Sequence, residues 1–155
     1  MIWDDVLGWN EDALDPAVDA LIRIRKRAYA AGEYIQDIDV TSGWSGAGAT
    51  AAQERRDSLE DSSELVLALI GDLISGLSAA QHGVAEVRLA VNEALSWADH
   101  YGLRISSAGE VTDPDPAPAW DLNRAGQQDY GINQAQQCVD NALERAAQVD
   151  AALKA

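Results

Sequence analysis

Few residues in this chain are of a type that carries chemistry. His82 and His100 are 18 positions apart. On a helix that is five turns, which gives one shared face but about 27 Å of separation. Two imidazoles so placed cannot hold one ion, and they read as solvated helix-surface side chains. Cys138 has no histidine placed to activate it, so it reads as a small packing residue rather than a nucleophile. Six acidic residues and no basic ones lie between Met1 and Ala20. No His or Cys accompanies them and no Asp-x-Asp-x-Asp-Gly loop is present, so they read as charge suited to a helix N-terminus, not as a calcium site. The glycines of Thr41–Ala49 invite comparison with a phosphate cradle. That chemistry needs a preceding strand and a closing Lys-Ser/Thr, and no Lys lies between Lys26 and Lys154. The chain is therefore expected to be no enzyme, with no cofactor and no metal.

Composition narrows the partners. At 155 residues with a formal net charge of −15, the chain would be repelled by nucleic acid and would suit a basic partner. One cysteine excludes an intrachain disulfide framework. The start, Met1-Ile2-Trp3-Asp4-Asp5, has neither the basic nor the apolar region of a cleaved leader. Uninterrupted apolar runs are short, which gives the expectation of no membrane span.

Periodicity predicts an all-α protein: an elongated antiparallel helical bundle around one long central helix, with a small β-hairpin at one tip. A single helical domain over residues 1–155 is expected. The first long helix covers about 11–38, entered at Asn10 or at Asp15-Pro16, with the stripe Leu14, Val18, Leu21, Ala28 and Ile35. Arg23, Arg25, Lys26 and Arg27 are expected to neutralise acids on a neighbouring helix. The turn at 41–46 uses Gly43 and Gly46 for positive φ, with Ser45 as N-cap and Trp44 as an apolar plug at the open end of the helix pair. The second helix, about 47–101, carries a seam of Val66, Ile70, Leu73, Leu77, Ala80, Val84, Val87, Val91, Ala94 and Ala98, spaced by alternating fours and threes. Gly71, Gly76 and Gly83 leave a continuous or a bent helix open. A hairpin at 103–112, a Pro-rich connector at 113–120 anchored by Trp120, and a third helix at about 128–153 complete the chain. Leu67, Ile74, Leu89 and Leu95 fall on flanks left uncovered, so they form an expected surface for a helical partner or for self-association.

Trp44-Ser45-Gly46 between two long amphipathic helices resembles the WXG family, helical-hairpin proteins exported by type VII secretion systems in actinobacteria and related bacteria. Beyond the hairpin, other features resemble the longer WXG-like N-terminal domains of actinobacterial secreted proteins. They are a tryptophan before the first helix, the Gly102-Leu103-x-Ile105…Gly109-x-Val111 hairpin, the Pro-rich bridge and the Ala-rich end Val149-Asp150-Ala151-Ala152-Leu153. The resemblance implies a non-catalytic targeting and partner-binding domain, at times preceding a hydrolase or toxin domain. It also implies contact with the type VII machinery, synthesis in the cytoplasm, and secretion or cell-surface display by a leaderless route. The family's Tyr-x-x-x-Asp/Glu export signal follows the second helix. Here Tyr101 is followed four on by Ile105 and Tyr130 by Gln134, whereas Tyr29 and Glu33 match the pattern on the first helix, a placement that argues for coincidence. The competing reading is a cytosolic acidic adaptor, chaperone or toxin-neutralising protein.

Overall fold

The computed structural model describes residues 1–40 and 42–154. Its elements are α1 (Trp3–Leu7), a 3-10 turn (Glu11–Leu14), α2 (Asp15–Gln36), α3 (Ala47–Tyr101), β1 (Arg104–Ile105), β2 (Val111–Thr112) and α4 (Leu122–Lys154). The chain is all-α with one small antiparallel hairpin, in which Arg104 pairs with Thr112 and Ile105 with Val111. α3 runs without interruption through Gly71, Gly76 and Gly83. α4 starts earlier than about residue 128, because Asp121 caps it by accepting a hydrogen bond from the Arg124 N–H at 3.0 Å. Contacts divide into two compact units, Leu14–Ser78 and Met1–Ala13 with Ala79–Ala155, and α3 contributes to each.

The unit formed by the two ends of the chain holds the larger core. Val87, Val91, Ala94 and Ala98 of α3 and Ala135, Val139, Ala142 and Ala146 of α4 are buried together with Trp3, Val6, Leu103 and Val111. Small side chains let the two helices approach closely. At Gly83 a Cβ would stand 2.5 Å from Val149 Cγ2, and Gly131 lies directly under the Tyr101 ring. α1 seals this core, with Trp3 only 2% exposed. Its first turn is fixed by Asp5, whose carboxylate accepts the Ile2 N–H at 2.8 Å. Gln136 clamps the hairpin with one side chain: Oε1 accepts from Val111 N–H at 3.0 Å and Nε2 donates to the Gly109 carbonyl at 2.9 Å. The Pro-rich connector is held by Arg124 on the Asp115 carboxylate at 2.9 Å and by Gln128 on the Ala117 N–H at 2.9 Å. Trp120, expected as its anchor, is instead 82% exposed.

In the other unit α2 runs antiparallel to the first half of α3. Gln36 donates to Glu60 at 2.8 Å, and a Cβ on Gly32 would meet Ser63 Oγ at 3.0 Å. The half-buried row on α2 is Leu14, Val18, Leu21, Arg25, Ala28, Gly32 and Ile35. It faces Glu60, Ser63, Leu67, Ile70, Ile74 and Leu77 of α3, of which Ile70 is fully buried. This corrects the expected seam. Val66 and Leu73 are 47% and 57% exposed, because this half of α3 carries two adjacent apolar stripes and α2 covers only one of them. Leu67 and Ile74 belong to the covered stripe, so they are not free flanks.

Candidate docking face

No acid, base or nucleophile converges anywhere in the described residues. His82 sits 3.5 Å from Glu86, which also receives Arg145 at 2.6 Å, an ion cluster on exposed helix surface. His100 lies edge-on to Tyr101 with 4.8 Å between centroids. Cys138 is half-buried, and burial followed by the charge of Glu93 pushes its thiol up, away from the thiolate a nucleophile needs. Among the described residues no three His, Cys, Asp or Glu side chains group as metal ligands.

The turn carries its glycines as expected, with φ of +73° at Gly43 and +92° at Gly46; Thr41 lies outside the described residues. α3 begins at Ala47, so Gly46 rather than Ser45 occupies the N-cap position, its carbonyl accepting from Thr50 N–H at 3.1 Å. Trp44 does not plug the helix pair. It is 55% exposed and folds back over the first turn of α3, where its ring covers Gly48. Without a side chain at 48 the indole finds a flat seat on its own helix.

Tyr29 and Glu33 line a shallow groove between α2 and α3 together with Gln36, Glu60, Glu64 and Leu67. The opposite side of the hairpin is apolar. Each residue advances about 100° around a helix, which places Leu59, Val66 and Leu73 beside the covered stripe of α3, and Ile24 and Ala31 beside that of α2. In an antiparallel pair, offsets of equal sign fall on the same side, away from the Tyr29 groove. Ile24 and Tyr34 of α2 are exposed there, as are Leu59, Val66, Leu69 and Leu73 of α3. A contiguous apolar surface two helices wide is uncommon on an isolated soluble chain and marks a contact site. Leu89 and Leu95, on the half of α3 that belongs to the other unit, are exposed as expected.

Two further observations concern this surface. Arg23, Arg25, Lys26 and Arg27 form no ion pair among the described residues, so the expected neutralisation of a neighbouring helix does not occur. α3 is also long and apolar enough to cross a bilayer, by length and composition only, and 11% of its apolar window is buried. Counting uninterrupted runs misses it, since Asp72 and scattered serines interrupt the apolar residues without lowering their average far.

No protein-family model, curated protein or solved structure matches the chain.

Proposed function

We propose that this chain is a non-catalytic helical module whose work is to bind a helical partner, in the type VII secretion setting implied by its resemblance to the WXG family. The observation that carries the reading is the exposed apolar side of the α2–α3 hairpin. Six large apolar side chains of that side face solvent: Ile24, Tyr34, Leu59, Val66, Leu69 and Leu73. Burying such side chains is worth about 1.5–3 kcal/mol each when complete, which gives an interface a substantial driving force and no other evident use. A helix pair of this kind accepts further helices by laying apolar rows into one another, the helix-in-groove mode. The absence of a signal-like Tyr-x-x-x-Asp/Glu after α3 fits a chain that is exported on the signal of its partner.

The test is export in the native host. The chain should appear in the culture medium or at the cell surface, and should stay in the cytoplasm when the type VII ATPase is deleted. Equal retention with and without the ATPase would contradict the secretion reading and would favour the cytosolic adaptor.

A further inference from the structure

We infer that the open side of the α3–α4 pair holds a seat for the guanidinium of an arginine, presented by a basic partner protein. Three groups make the seat: one face of the Trp97 indole, the Glu93 carboxylate and the Gln134 amide carbonyl. It uses none of the residues of the apolar α2–α3 side, so it goes beyond the docking role proposed above.

The helix pair has two sides. At about 100° per residue, Arg88 and Val91 of α3 and Gln136 and Leu143 of α4 fall on one of them. That side holds the 3-10 turn, α1 and the hairpin. Glu93 and Trp97 of α3 fall on the other, with Tyr130, Gln134 and Cys138 of α4. There Glu93 and Tyr130 are exposed, and Trp97 and Gln134 are half-buried. The register is set by Glu86 with Arg145 at 2.6 Å and by Gly131 beneath the Tyr101 ring. In antiparallel helices this puts Trp97 level with Gln134, and Glu93 level with Cys138. The charge of Glu93 is accordingly felt at the Cys138 thiol.

The indole has one face to offer. Tyr101, one turn on, stacks on the other face, with 5.9 Å between centroids and 14° between planes. Parallel rings four residues apart are stacked along the helix, so the uncovered face looks back toward the turn that carries Glu93. Tyr130 stands at right angles to the indole, 6.0 Å between centroids. Its position in the register is the Tyr101 level, so it borders the indole from that end and leaves the Glu93 end open. Ser96 and His100 line a depression on the solvent side of Trp97, which gives a side chain its way in.

The polar groups of the seat have no partners of their own. Among the described residues neither Glu93 nor the Gln134 side chain makes an ion pair or a hydrogen bond. An aromatic face attracts a cation, a carboxylate pairs with one, and an amide carbonyl accepts from one. A guanidinium meets all three at once, because it lies flat on an indole while its edge N–H groups reach acceptors in its own plane. An ammonium is a point charge without that plane. The net charge of −15 draws a basic protein toward such a face. A seat this open suits a side chain carried on a protein surface, whereas a free small molecule is bound by enclosure.

The experiment follows the full, isotope-labelled chain by NMR during titration with the capped peptide acetyl-Ala-Ala-Arg-Ala-Ala-amide, its lysine counterpart, free arginine and glucose. The arginine peptide should shift the Trp97 indole N–H and the Gln134 side-chain amide, and should bind more tightly than the other three. Glu93→Gln, a change of charge at an exposed site, should weaken it about tenfold, the scale of a hydrogen bond to a charged group. Trp97→Leu should weaken it about fivefold. Asp99→Asn removes the same charge on the other side of α3 and should leave binding unchanged. Equal losses from Glu93→Gln and Asp99→Asn would show attraction to net charge alone and overturn the inference. So would a Trp97 signal that stays in place at millimolar arginine peptide, a lysine peptide that binds as tightly, or tighter binding of free arginine or glucose.

Discussion

Trp44 rests on Gly48: the indole Cζ2 stands 2.9 Å from the point a Cβ on that glycine would occupy. The contact is between a residue of the turn and the first turn of the helix after it, so it fixes how the chain enters α3 without joining two helices. Half of the ring remains in water.

That one-sided seat sets the cost of removing it. Trp44→Ala is expected to lower stability by about 1 kcal/mol, between the few tenths of an ordinary surface site and the 3–5 kcal/mol of a fully packed aromatic. Trp3→Ala should reach the upper figure, about 3–5 kcal/mol, because Trp3 is buried in the core of α3 and α4, with its Cβ beside Gly109. Urea unfolding of the two variants gives the comparison directly. Equal losses would mean that Trp44 is packed more fully than its exposure indicates.

Gly83 lies against Val149 where α3 meets α4. An alanine at a solvent-exposed helix site would stabilise by about 1 kcal/mol relative to glycine. Here its methyl collides with the Val149 side chain, and overpacking of this sort costs about 1–3 kcal/mol. Gly83→Ala should therefore be destabilising on balance. The double variant Gly83→Ala with Val149→Ala should recover part of the loss, a coupling that a thermodynamic cycle measures. Additive losses would place the two residues apart.

Arg88 donates to Glu11 at 2.8 Å and ties the 3-10 turn after α1 to α3. The hydrogen bond from Arg88, then the backbone hydrogen bond at Glu11, holds the Glu11 carboxyl below the usual glutamate range. A depressed folded-state value means the contribution to stability is fully present above the unfolded-state glutamate value. It is lost as pH falls through the lower folded-state value. Glu11→Gln should lower stability by a constant amount at neutral and alkaline pH and converge on the unmodified chain at low pH, which flattens the acid limb. An identical acid limb in the two proteins would show that the pair has no linkage to folding.

The helices, their order and the hairpin are legible in the sequence, because each rests on a local signal: a period of threes and fours, glycines that stop a helix, and a polar break between alternating residues. The Ala47 start and Tyr101 end of α3 are set by Gly46 and Gly102, two of the glycines with positive φ. Which face meets which is not local. Val66 and Leu73 have the same spacing as Leu67 and Ile74, and only the position of α2, drawn in where Gly32 permits close approach to Ser63, decides which row is covered. Gln136 and Arg124 are polar residues on a helix, indistinguishable in sequence from solvated ones, yet they hold the hairpin and the connector. Trp3 and Trp120 differ in burial for the same reason, since composition says that an indole prefers cover and tertiary contact decides which one finds it.

The central claim is that the exposed rows of the α2–α3 hairpin are a contact surface for helices. The most direct measurement compares the native-host complex of the chain with that of the double variant Leu69→Glu, Leu73→Glu, by size and mass, after circular dichroism has shown equal helix content. The account predicts that the unmodified chain is recovered bound to a helical chain and that the variant is recovered alone at its own mass. A variant that keeps the same companion with the same affinity would contradict it.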